Sequence, residues 1–255
     1  MDLLHTLKAN HYDIVALQEP HIDFLGQTQV NLYWTVIYPK HHLSNPKKTR
    51  SVILVNRKIC TNNWEEVNLV SYDVTGVRLH GPFGSICVIN IYNNCKNNGS
   101  LEVEEYMRRK EGRGEVGDRG RSGKKESVIW LGDFNRHHPL WDKERNAHLF
   151  TKNALEATQP LLDMISEYDL RMVLPKDVPT LEASSMKNYT RVDNVFCSPD
   201  IFDCFIECNT YPHWCPQKTD HMLIISKLDI EPLESTQIVK YNFRAMDWKE
   251  FRKAL

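Results

Sequence analysis

Short apolar, β-prone runs recur along this chain, and most end abruptly in a polar side chain. The clearest is Ser127-Val-Ile-Trp-Leu-Gly-Asp-Phe-Asn135. Val128 to Leu131 are apolar, Gly132 punctuates them, and Asp133 and Asn135 follow at spacing two. Alternate residues of a strand share a face, so a carboxylate and an amide are expected to project together from its end. Such a pair suits holding a water or a phosphate oxygen. An ordinary turn explains this stretch equally well when it is read alone, because Asp and Asn are common turn residues.

The other runs decide the fold class. Ile14 to Leu17 reads as a short buried strand ending in Gln18-Glu19-Pro20, and Pro20 forbids continuation of a central ladder. Strands are expected at Tyr33–Tyr38, Ser51–Val55 and part of Ile59–Val70. Tyr72–Leu79 and Ser85–Tyr92 flank a Gly/Pro loop and predict a hairpin. Further strands are expected at Met172–Leu174, Tyr189–Cys197 and Met222–Leu228, with Ile201–Cys208 a helix or a strand. Helices are expected around Leu3, Leu4 and Leu7, at Leu101–Arg109 with Ser100 as N-cap, at Asn153–Asp169 with a kink or restart at Pro160, and at Asp247–Leu255. Strict strand–helix alternation is missing, which argues against a doubly wound sheet. The expected fold is α+β, with two packed mixed sheets flanked by helices in an αββα sandwich over residues 1–229. Residues 230–255 read as a linker and a short amphipathic helix. Residues 108–125 carry eight Lys or Arg and five Gly with no hydrophobic period, as a flexible basic insertion would.

Composition removes several classes. No apolar run approaches the length of a membrane span, and Asp2 and His5 stand where a secretory leader would be basic and then apolar. Seven Cys with no Cys-x-x-Cys pair read as reduced structural thiols in a reducing compartment. The net charge of −1 neither favours nor excludes nucleic acid.

The polar groups at the strand ends are Glu19, Tyr92, Asp133, Asn135, Asp193, Asp220 and His221. If two facing sheets bring those ends to one rim, carboxylates, an amide, a phenol and an imidazole meet there. Carboxylates suit Mg²⁺, and the whole set suits hydrolysis of a phosphate ester.

The ordered motifs Leu17-Gln-Glu19, Asn90-Ile-Tyr92, Gly132-Asp-Phe-Asn135, Arg191-Val-Asp193 and Thr219-Asp-His221 resemble the endonuclease/exonuclease/phosphatase superfamily, with its DNase I-like fold, over about residues 10–228. Within that superfamily the chain resembles the endonuclease domain of non-LTR retrotransposons, through Asp133-Phe-Asn-Arg-His-His-Pro-Leu-Trp141, Pro179-Thr180 and the tail Asp247-Trp-Lys-Glu-Phe-Arg252. The resemblance implies a metal-dependent endonuclease that nicks DNA and leaves a 3′-hydroxyl. It implies Glu19 as the principal ligand of Mg²⁺ (or Mn²⁺), with Asp220 near the metal. Asp133 orients or deprotonates water, Asn135 holds the phosphate or that water, and His221 stabilises the transition state while Asp193 holds it. Tyr92 contacts the phosphate or the leaving oxygen, and Thr190 sits near the phosphate. His137 and His138 are expected to pack or to lie close to DNA, and Trp141 to pack. A reverse transcriptase is expected downstream, and a nuclear location follows from such a role. The family's first strand, with its Asn, has no counterpart ahead of the first helix. Two alternatives therefore stand beside the endonuclease: a catalytically inactive truncated remnant, and a phosphatase on a small phosphoester.

Overall fold

The computed structural model describes residues 10–94, 99–112, 126–182, 188–215 and 219–231. A six-stranded mixed sheet is the largest element. It is built from β4 (Trp64–Val67), β5 (Val74–Gly81), β6 (Gly84–Tyr92), β7 (Ser127–Asp133), β11 (Asp193–Cys197) and β8 (Arg171–Met172), in that spatial order. Among the described residues only β6 and β7 pair in parallel, and the helix α1 (Gly99–Gly112) lies between them in sequence. The other neighbours are antiparallel.

The two faces of this sheet follow from alternation along its strands. Cys87, Ile89 and Ile91 of β6, with Val128 and Trp130 of β7, pack against Val103 and Met107 of α1 and Leu161 and Met164 of α2 (Lys152–Glu167). Ile86 and Val88 of β6, with Ile129 of β7 and Val195 and Cys197 of β11, face the opposite way. There they meet Ile37 of β2 (Trp34–Ile37) and Ile53 and Val55 of β3 (Ser51–Asn56). Buried on both faces, β3 and β6 read as continuous apolar runs, which is why the sequence marks them so clearly.

The second sheet has the order β1-β3-β2, with β1 at Ile14–Gln18. Both neighbours of β3 run antiparallel to it, so β1 and β2 run the same way and their C-terminal ends lie at one rim. A hairpin of β12 (Phe205–Thr210) and β13 (Ile224–Leu228) packs Phe205, Ile224 and Leu228 on the same core. Among the described residues it shares no ladder with β1. Two short strands, β9 (Leu181–Glu182) and β10 (Tyr189–Thr190), complete the set, with one further turn of helix, α3 (Pro199–Phe202).

Several expected elements shift. The single strand at Tyr189–Cys197 is two strands, broken at Arg191-Val192, where the backbone N–H groups bond the side chains of Asp142 and Thr180 instead of a neighbouring strand. The segment Ile201–Cys208 is divided between the end of α3 and β12. α1 starts at Gly99, so Ser100 lies inside its first turn, and it runs on to Gly112, into the stretch expected to be a flexible insertion. α2 continues through Pro160 without a break. The remainder of the basic stretch, the Leu3–Leu7 helix and the Asp247–Leu255 helix lie outside the described residues.

Candidate active site

Alternation also builds the site. In β6 the even-numbered side chains face the second sheet, so Asn90 and Tyr92 follow Ile86 and Val88 inward. In β7 and β11 the odd-numbered ones do, which turns Asp133 and Asp193 the same way. Register then sets the three abreast: Tyr92 is opposite Asp133, and Asp133 is opposite Asp193. A phenol and two carboxylates thus stand in one row at the strand ends, on the inner face of the sandwich.

From the other sheet, Glu19 meets that row. The Tyr92 hydroxyl donates to Glu19 Oε1 at 2.6 Å, and the Glu19 backbone N–H bonds Arg50 O at 2.8 Å. The two sheets are pinned one turn deeper by Asn90, which is fully buried. Its amide donates to Leu17 O at 2.9 Å and Val52 O at 3.0 Å, and its oxygen accepts from Gln18 Nε2. A buried amide with each group satisfied fixes register between layers that apolar contacts alone would let slide.

His221 completes the cluster. Its Nδ1 donates to Asp193, 3.0 Å from Oδ2 and 3.1 Å from Oδ1. Its Nε2 faces Asp133 Oδ2 at 4.0 Å. Asp133, Asp193 and His221 offer ligand atoms within 4.8 Å of one another. Burial works against a charged His221, yet the hydrogen bond and charge of Asp193 outweigh it and raise the imidazole to about 9. Burial, then the charge of Asp193, pushes the Asp133 carboxyl up to about 7. Burial and Glu19 push the Tyr92 phenol well above its ordinary value, so it stays a donor. The imidazolium of His221 neutralises Asp193, while Asp133 and Glu19 have no cation bonded to them among the described residues, and such oxygen donors fit a divalent cation.

The strand ends at Asp133, so alternation does not place Asn135. Asn135 takes the left-handed conformation, φ 48°, and folds back. Its backbone N–H bonds Asp133 Oδ1 at 2.9 Å, and Nδ2 donates to Asp133 Oδ2 at 2.8 Å and to Asn93 O at 2.7 Å. The turn and the site are the same object. Glu19 is also left-handed, φ 49°, where a Glu carries strain on the order of 1–3 kcal/mol. Gly132 is required by space: a Cβ there would lie 2.0 Å from Ile91 O, at φ +135°.

Two expected site residues stand apart from the row. Asp220 is exposed, its carbonyl accepts from the Glu182 N–H, and its charge contributes to raising His221. Thr190 is buried, and its hydroxyl meets no partner among the described residues. Two residues with no assigned role prove important. The Thr180 hydroxyl accepts from the backbone N–H groups of Val192 and Asp193, both at 3.1 Å, and so positions Asp193. Arg50 lies 5.1 Å over the Tyr92 ring and pairs with the buried Asp73 at 3.1 Å. Thr180 carried a signal, since it directly follows Pro179; Arg50 carried none beyond its place before a strand.

The His-His-Pro-x-Trp loop is a support. Trp141 is buried against Phe196, and its Nε1–H donates to Arg136 O at 3.0 Å. His137 Nδ1 lies 3.2 Å from Asp142, and Asp142 Oδ2 also accepts from the Arg191 backbone N–H at 3.3 Å. The fully buried Arg191 guanidinium donates to Asn194 Oδ1 and to Leu174 O at 2.8 Å, and also to Pro175 O. Burial lowers it to about 10. This network holds the two residues before Asp193 and the loop after Asn135 as one unit.

Among solved structures, the chain is similar to the endonuclease domain of TRAS1, a telomere-specific non-LTR retrotransposon, with a TM-score of 0.61, 17% identity, and 87% of this chain and 88% of that chain covered. It is similar to an AP endonuclease from Archaeoglobus fulgidus, with a TM-score of 0.56, 16% identity and coverage of 87% and 90%. It is also similar to the catalytic domain of Xenopus laevis APE2, at 0.55, 15%, and 90% and 87%. At such identities the likeness is one of fold. No curated protein matches the chain. Residues 86–225 match the family described as Endonuclease-reverse transcriptase. That stretch is more than half of the 255 residues and carries Tyr92, Asp133, Asp193 and His221, and the chain belongs to this family, within the DNase I-like endonuclease/exonuclease/phosphatase superfamily.

Proposed function

We propose that the chain is a divalent-metal-dependent phosphodiesterase that nicks DNA and leaves a 3′-hydroxyl. The single observation that carries this reading is the row Tyr92–Asp133–Asp193, with His221 bound to Asp193 and Glu19 bound to Tyr92 across the two sheets. The 4.0 Å between His221 Nε2 and Asp133 Oδ2 is bridgeable by a water or a phosphate oxygen.

Glu19 would hold Mg²⁺ or Mn²⁺, with the exposed Asp220, next to His221 in the chain, as a further carboxylate toward it, and the bound metal would neutralise charge on the scissile phosphate. Asp133 takes a proton from water as its oxygen attacks phosphorus, and a carboxylate raised to about 7 is a better base near neutrality than an ordinary one. Asn135 fixes the orientation of Asp133, and its amide would turn to the phosphate only by giving up its bond to Asp133 or to Asn93 O. His221, kept protonated by Asp193, donates from Nε2 to a phosphate oxygen as charge develops. Tyr92 orients Glu19 and contacts the leaving oxygen. The P–O3′ bond breaks and the leaving O3′ takes a proton from solvent water, giving a 3′-hydroxyl and a 5′-phosphate. Thr190 has the weakest claim to a phosphate contact, since its hydroxyl is buried.

The test is nicking of supercoiled plasmid with Mg²⁺, followed by extension of the nick by a DNA polymerase. Wild type is expected to give extendable nicks, with Glu19→Ala and His221→Ala each lowering the rate by 10²-fold or more, on the order of one lost transition-state donor. Intact plasmid, beside a control nuclease that nicks it, overturns the reading. Release of phosphate from inositol phosphates without nicking would move it to a phosphatase.

A further inference from the structure

The chain leaving Glu19 forms a rigid tip on the rim. Asp23 Oδ1 accepts from the N–H groups of Leu25 at 2.9 Å and Gln27 at 2.8 Å, and the Asp23 N–H bonds Gln27 O at 2.9 Å. Gly26 takes φ +76° where a Cβ would stand 3.0 Å from Pro46. The Thr28 N–H is held by the Tyr38 hydroxyl at 2.8 Å. This clamped turn presents Phe24 at 89% exposure and Leu25 at 67%. Leu43, 91% exposed, is offered by the segment 38–50, on which the tip rests. That segment carries Lys40, Lys47, Lys48 and Arg50 and no acidic residue. It joins β2 to β3 at the strand ends where Glu19 lies, and Arg50 sits over the Tyr92 ring.

Large apolar side chains clamped in water, edged by cations and joined to the strand end that carries Glu19, suit a polyanion with apolar faces to stack on. We infer that Phe24 and Leu25 form a wedge that enters between base steps of duplex DNA beside the scissile phosphate, with Lys47 and Lys48 on the flanking phosphates. This inference rests on the nuclease reading and names the side chains that position its substrate. Phe24 follows Glu19 by five positions, which span at most about 18 Å. The wedge therefore falls within about five base pairs of the cut. Phe and Leu are side chains suited to this, since both unstack a step without needing hydrogen bonds. The Asp23 carboxylate on the same tip stays ionised, held so by the backbone N–H groups of Gln27 and Leu25, and the four cations of segment 38–50 outnumber it.

The test uses a fluorescein-labelled 30-base-pair duplex in EDTA, where cleavage is stopped, read by anisotropy against salt. Phe24→Ser/Leu25→Ser is expected to weaken binding about ten-fold with the salt slope unchanged. Lys47→Ala/Lys48→Ala is expected to lower that slope by about two. Phe24→Trp is expected to retain affinity and to add a tryptophan emission that DNA quenches by stacking. In Mg²⁺, the serine variant should show a raised KM for plasmid and unchanged hydrolysis of thymidine 5′-p-nitrophenyl phosphate, which cannot reach the tip. Equal duplex affinity of wild type and the serine variant overturns the inference, as does failure of wild type to bind duplex. Loss of binding to phosphatidylserine vesicles with duplex binding intact also overturns it, by giving the tip to a membrane surface. The two readings fail separately. A protein that nicks plasmid while the serine variant matches wild type keeps the nuclease and loses the wedge. One that unstacks duplex through Phe24 without cutting it keeps the wedge and loses the nuclease.

Discussion

Asp133 is subject to two opposed demands. Buried beside Asp193, it tends to keep its proton, up to about pH 7, yet in the proposed role of base it must release one. His221 has the complementary requirement and keeps its proton up to about pH 9. Nicking is therefore expected to rise with pH as Asp133 ionises and to fall as His221 loses its proton. A bound cation favours ionised Asp133 and moves the acidic limb below 7. Asp193→Asn removes the charge that raises His221, so the alkaline limb of a pH–rate profile should move down; an unmoved limb would mean that another group sets it. At Gly132 the constraint is spatial. Gly132→Ala forces a Cβ against Ile91 O in a conformation that L-residues avoid, and should cost more than about 3 kcal/mol in urea denaturation.

Between elements, two polar side chains join strands that share no ladder. Asn90 joins β6 to β1 and β3. Asn90→Leu leaves Leu17 O, Val52 O and the Gln18 amide unpaired, at a cost of about 1–3 kcal/mol for each group that water does not reach. Because Glu19 follows Gln18, the nicking rate should fall further than stability alone explains, measured at a temperature where the variant remains folded. Thr180 joins the segment before β9 to the start of β11. Thr180→Val deprives the Val192 and Asp193 N–H groups of their acceptor and should cost about 1–3 kcal/mol. The same change loosens Asp193 and should shift the alkaline limb, whereas a purely structural role would leave the profile in place. Neither residue could be assigned this work from the sequence, since each bond spans layers or loops distant in the chain.

For the whole molecule, the site concentrates negative charge in a protein of net charge −1. A carboxyl whose folded pKa is raised favours the folded state less as pH climbs from its unfolded value of 3.8 through about 7. Stability should therefore fall over that window without a cation. Mg²⁺ binding only the folded state adds about 2.7 kcal/mol at a hundred times its dissociation constant. The rise in melting temperature on adding Mg²⁺ should be larger at pH 8 than at pH 5, reverse with EDTA, and lose its pH dependence in Asp133→Asn. An equal shift at both pH values would place the cation away from Asp133.

Much of this was legible in the chain itself. The doubly buried strands β3, β6 and β7, the hairpin of β5 and β6, and the polar residues ending them follow from local rules, because strand periodicity is a property of neighbours in sequence. Alternation along β6 and β7 puts Tyr92 on the face of Ile86 and Val88, and Asp133 on that of Ile129. What alternation could not decide was register, that is, which strand ends share a rim. The Tyr92–Asp133–Asp193 row depends on β6 pairing in parallel with β7, and on β11 crossing from some 60 residues later in the sequence. The fold-back of Asn135, the separate place of Thr190 and the pinning role of Asn90 depend on packing in the same way. The sequence by itself determined the residue types of a phosphate-handling centre and the strands that carry them. Only the tertiary structure decided which of them meet, because distances between groups remote in the chain are set by how two sheets close on one core.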